Sequence, residues 1–168
     1  MVYLCSEYKT QMTLTVPTSI RLALISTATS VSVDIALQRM SRRKYDLKRT
    51  LRTGGFAFTS SFPQNAYFSY IGKVCNGPVQ KTMVNQFLFA PVNITAGIAW
   101  NLALQNRMGD IKETVRTNIL PGLSEGAAYW IPLNMLIFSM VPMQHHFVTF
   151  KLAGIPAKFI FVARTNKN

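Results

Sequence analysis

The sequence predicts an all-α integral membrane bundle of about four transmembrane helices, with room for a fifth helix at the C-terminus. Three observations predict it. Segments 54–72, 83–106 and 126–144 contain no Asp, Glu, Lys, Arg or His. Charged residues make up only 14% of the 168 residues, against roughly a quarter in an ordinary soluble domain. The charges that do occur fall between the uncharged blocks, so a net charge of +12 is concentrated in the connecting segments. Each block is long enough to cross a hydrocarbon core about 30 Å thick as a helix. In lipid, backbone groups are satisfied only inside helices or closed barrels, and no strand-length alternation points to a barrel. A chain of this length forms one domain rather than two.

The first span, 19–37 ("SIRLALISTATSVSVDIAL"), carries Arg21 near its start, where a long side chain reaches the interface, and Asp34 about one turn from its end. Segment 39–52 ("RMSRRKYDLKRTLR") follows, with seven Lys or Arg and one Asp. As a juxtamembrane basic loop it is drawn to anionic lipid head groups and obeys the positive-inside bias. It has no aromatic platform on which bases could stack, so direct nucleic-acid binding is not expected. Spans 54–72, 83–106 and 126–144 come next. With four spans, the basic loop and residues 107–125 share the matrix or cytosolic side, and both termini face the other. In the final stretch, 146–163, Lys151 and Lys158 are seven residues apart and so lie on nearly one helical face. That helix either lies in the interface or lines the bundle.

Polar residues inside the spans fall in rows. Ser26, Ser30, Asp34 and Gln38 recur every four residues, as do Ser61, Asn65 and Ser69, and again Asn93, Gly97 and Asn101. At 3.6 residues per turn each row forms a slowly drifting band on one face. Two readings stay open. Such rows let helices approach and hydrogen-bond across their interfaces, which describes a structural membrane protein without transport. Alternatively the faces converge on a water-filled path for small solutes. On that reading Ser26, Ser30, Asp34, Gln38, Asn65 and Asn93 line it, and Asp34, as its acidic wall residue, sets a preference among ions.

Other chemistry finds little support. Cys5 and Cys75 are far apart without motif partners. His145 and His146 are adjacent, whereas helical metal ligands sit three or four residues apart. The sequon "NIT" at 93–95 lies inside a predicted span, out of reach of a glycosyltransferase. With no phosphate-binding glycine loop and no suggestive Ser–His–Asp set, no enzyme activity, metal or cofactor is expected. The first twenty residues are not Arg-rich and include Glu7, so a cleaved presequence is not expected and organelle import would use internal signals.

In order and spacing, "DIALQ" at 34–38, "DLKRTLRTGGFAF" at 46–58, "NQFLFAPV" at 85–92 and "YWIPLNMLIFSMVPMQ" at 129–144 resemble the signatures of the Mpv-seventeen and twenty-two-kilodalton peroxisomal membrane protein family. Asp34 and Gln38 fall on the family's Asp and Gln, and Arg49 and Arg52 on its basic pair. Gln86, Ala90 and Pro91 fall on its third-span motif, and Trp130, Pro132 and Pro142 on its fourth. The departures are Asn65 where the family has His, Asn85 for Asp, Ile131 for Trp and His146 for Arg. The resemblance implies a small four-span protein of the mitochondrial inner membrane or, alternatively, the peroxisomal membrane, forming a weakly selective channel for small metabolites and serving mitochondrial homeostasis. Pro91, Pro132 and Pro142 would mark kinks. The implied partners are the lipid bilayer, anionic head groups at 39–52 and small solutes, with homo-oligomerisation left open.

Overall fold

The computed structural model describes residues 16–41 and 44–165; Cys5, Glu7 and the Arg42–Arg43 pair of the basic segment lie outside them. Among the described residues there are six α-helices and no strand, in agreement with the all-α expectation: α1 Val16–Met40, α2 Leu47–Val74, α3 Pro78–Val84, α4 Ala90–Ala103, α5 Ile111–Met140 and α6 His146–Thr165. A π turn, Asn85–Phe89, joins α3 to α4.

Local chemistry sets the boundaries. The basic segment 39–52 is a loop only in its first half. Asp46 has extended backbone angles, and its carboxylate accepts a hydrogen bond from the Arg49 N–H, which caps α2 and turns Lys48, Arg49 and Arg52 into helical residues. Pro78 begins α3, since its missing N–H is no loss in a first turn. At the far end of α4, Asn106 takes a left-handed conformation with φ 57°. The Arg107 N–H then bonds the Leu102 carbonyl at 2.9 Å and the Asn106 N–H that of Ala103 at 3.1 Å, closing the carbonyl end.

The fourth predicted span is only the second half of a longer helix. Residues 111–125, expected as a connection, continue unbroken into it, because a charged segment can be helical on a wet surface. Pro142 marks a break rather than a kink. The residue before a proline is pushed out of the α region, and Val141 is accordingly extended, separating α5 from α6. Pro132 is accommodated within α5, and Pro91 opens α4 directly after the π turn. By length and composition, one helix among the described residues, Thr18–Met40, is long and apolar enough to cross a membrane, with a mean hydropathy of 1.5; Gly126–Met140 is apolar but shorter. Ser, Asn, Gln and Tyr dilute the block within α2, and the π turn divides the block at 83–106.

α1 and α2 form the most extensive helix pair, α6 packs on α1, and α3 and α4 pack on α5. A Cβ on Gly54 would lie 2.9 Å from Val31 Cγ2, so α2 approaches α1 there as only glycine allows. Phe68, Ile71, Cys75, Ile137, Phe138, Phe147 and Phe150 make an apolar cluster at one end, with Phe68 and Phe150 stacked at 4.8 Å. The rest of the interior is unusual in kind. Among the described residues, twelve buried side chains are polar, among them Ser26, Asp34, Gln38, Thr50, Gln64, Asn85, Gln86 and Asn134, against twelve apolar ones. Large apolar side chains instead face outward: Ile20, Leu24 and Ile25 on α1, Phe87 and Leu88 on the π turn, Val92 on α4, and Leu120, Leu136 and Met140 on α5.

Candidate functional site

Helices α1, α2, α4, α5 and α6 and the π turn border an open cavity of about 730 Å³. Its wall follows α2 from Arg49 to Phe68, a rise of roughly 28 Å along a helix axis. At one end lie Arg49, Arg52, Trp100 and Asn101. The Arg52 Nε–H donates to Asn101 Oδ1 at 3.0 Å and the Trp100 indole N–H donates to the Arg52 carbonyl at 3.0 Å, tying α2 to α4. Toward the other end lie Gln64, Phe68, Asn85, Gln86, Asn93, Trp130 and Phe150. Gln64 Nε2 donates to Asn93 Oδ1 at 2.9 Å there. Lys151 and Lys158 border the cavity from α6. The Lys158 ammonium is within electrostatic reach of Asp34, with no ion pair between them.

Small residues make the space: Ala57, Ala90, Gly97, Gly122, Gly126 and Gly154 all contribute to the lining. Two polar atoms on lining residues, Ser60 Oγ and Asn85 Oδ1, are buried with no protein partner. A buried polar group left unmatched costs roughly 1–3 kcal/mol, so each favours a wet or solute-bearing neighbour.

Beside the cavity, α1 and α2 are fastened by a polar clasp. Asp34 Oδ1 accepts from Arg49 Nε at 3.0 Å, and Oδ2 accepts from Thr50 Oγ1 at 2.8 Å and from Gln38 Nε2 at 2.7 Å. Gln38 Oε1 accepts the Asp46 N–H at 2.6 Å, which ties the turn between the helices to α1. Asp34 is 5% exposed, while the Arg49 side chain is about half exposed. The carboxylate is therefore held by three donors and faces away from open space.

The six residues expected to line a path are divided by this geometry. Ser30 and Asn93 border the cavity. Asp34 and Gln38 belong to the clasp, and Ser26 lies in the α1–α2 contact, where its hydroxyl donates to the Ala57 carbonyl at 3.3 Å. Asn65 is buried away from the cavity lining. Of the positions that carry the family resemblance, Arg49, Arg52, Gln86 and Trp130 are on the lining, whereas Pro91, Pro132 and Pro142 act through the backbone. His146 Nε2 is 2.8 Å from the Val141 carbonyl and its ring packs edge-on against Phe138, a structural setting at the break before α6.

Sequence reasoning did not single out Gln64, Trp100 or Phe56 as lining residues; each sits in a run of similar residues, and only tertiary packing selects it. Lys151 and Lys158 did carry a signal in their seven-residue spacing. No protein-family model, curated protein or solved structure matches the chain.

Proposed function

We propose that this protein is an integral membrane bundle of about four spans that provides a weakly selective path for small solutes. The observation that carries the reading is the inverted distribution of polarity. Large apolar side chains face outward on most helices, while half of the buried side chains among the described residues are polar, and a cavity of mixed lining, apolar surface with Arg, Lys, Asn and Gln side chains set into it, runs between the helices. In water this arrangement is unfavourable; in lipid, where apolar surface meets acyl chains and polar groups seek one another, it is the economical one. The uncharged residues 83–103, divided between the end of α3, the π turn and α4, together extend about 30 Å along their helical path. The motif resemblance makes the mitochondrial inner membrane the first location to test and the peroxisomal membrane the second, and it is consistent with a part in mitochondrial homeostasis. Anionic head groups would meet the exposed Arg39, Lys44 and Lys48.

A second reading, a structural membrane protein without transport, is favoured by the clasp. In α1 the row Ser26, Asp34, Gln38 makes contacts between helices rather than with open space. The experiment is solute release from liposomes bearing the purified full chain, after confirming that the protein resists extraction at alkaline pH. Release of solutes of a few hundred daltons, with larger ones retained, is the expected result. Retention of all solutes by helical, inserted protein would move the assignment to the structural reading. Release of the protein itself by the alkaline wash would end the membrane reading altogether.

A further inference from the structure

Every charged side chain on the described lining of the cavity is basic: Arg49 and Arg52 on α2, Lys151 and Lys158 on α6. Asp34 is not on that lining: its oxygens face Arg49, Gln38 and Thr50, and its charge reaches Lys158 only from beyond ion-pair distance. It neutralises Arg49 in part. Arg52 has only a long approach to Asp46, 3.8 Å, to a carboxylate that is itself half exposed. Among the described residues no carboxylate lies within ion-pair distance of Lys151 or Lys158. The Lys151 ammonium sits 5.2 Å from the Phe147 ring centroid, an attraction weaker than a carboxylate would give.

Like charges gathered on one low-dielectric wall repel, and a cleft of one sign concentrates ions of the other. The Ser60 hydroxyl, unpartnered on the same lining, adds a neutral donor. A volume of about 730 Å³ suits a small molecule rather than a macromolecular segment. We infer that the cavity takes small organic anions bearing a carboxylate or phosphate group, and that Lys151 and Lys158, rather than Asp34, set its charge preference. This names the solute class for the path proposed above and rests on that reading only for passage across a membrane; the binding itself stands separately.

The test compares succinate with succinamide, its neutral counterpart of nearly equal size, by equilibrium dialysis against the full chain in detergent micelles. Succinate is retained and succinamide is not. Lys151→Gln with Lys158→Gln weakens succinate retention by about tenfold, as expected for two charge-assisted contacts in a partly exposed setting. Lys151→Arg with Lys158→Arg preserves it, which separates loss of charge from loss of fold. Equal retention of the two probes, or undiminished retention by the glutamine pair, overturns the inference. The same probes then distinguish it from the path reading in liposomes. Selective binding without flux upholds the anion site and removes the path; equal flux of both probes without selective binding upholds the path and removes the anion preference.

Discussion

Asp34 accepts from Gln38, one turn further along α1, and from Arg49 and Thr50 at the start of α2. A carboxylate with three donors is stabilised by each and leaves each exposed to loss. Asp34→Asn turns one acceptor oxygen into a donor facing donors and leaves Arg49 unpaired. Removing one partner of a buried pair typically costs several kcal/mol; with Arg49 about half exposed to screening, a loss of about 1–3 kcal/mol is expected. A lowered thermal midpoint by circular dichroism in micelles, with part of the loss recovered when Arg49→Met is added, is the expected pattern. An unchanged midpoint would mean the clasp contributes nothing. The sequence made the need for a partner legible, since an unpaired carboxylate in a predicted span is expensive. It could not supply the partner's identity: Arg49 lies fifteen residues away across a turn, and any of seven nearby basic residues would have answered the same need. Lys151 and Lys158 were more readable, because a shared face is a property of helical geometry alone.

At the scale of the elements, uncharged blocks located helices well and located their ends poorly. Absence of charge reports where a helix is dry; it does not report where the helix stops. α5 therefore runs back from the apolar 126–140 through Lys112, Glu113 and Arg116, and α2 begins within a run of basic residues because Asp46 caps it there. Proline was read as a kink signal, yet Pro142 follows an extended residue and separates two helices, because its ring pushes Val141 out of the α region. Glycine spacing within α2 has a direct packing consequence. Gly54→Ala adds a methyl 2.9 Å from Val31 Cγ2; its gain in helix propensity, about 1 kcal/mol, would be roughly cancelled by crowding. Gly54→Leu has no such compensation and is expected to lose about 1–3 kcal/mol by forcing α1 and α2 apart. The thermal midpoint checks it: a stability equal to the parent would show that the two helices separate there without penalty.

Across the whole molecule, the all-α class was readable because it follows from composition and spacing, which are sums over many residues. The cavity was only partly readable: rows of polar residues marked wet faces, but the same pattern serves a helix contact and a lined space, and only packing assigns Ser26 to one and Ser30 to the other. The polarity of the interior also bears on how this protein responds to heat. Unfolding raises heat capacity as apolar surface is hydrated and lowers it as polar surface is hydrated, giving soluble proteins a net of about 12–15 cal/mol/K per residue. With polar side chains as numerous as apolar ones among those buried, the two contributions oppose one another here. Calorimetry in micelles should give a per-residue increment clearly below the soluble range; a value within it would contradict the inverted distribution. A small increment flattens the curve of free energy against temperature, so the temperature of greatest stability becomes ill defined and cold denaturation recedes well below freezing.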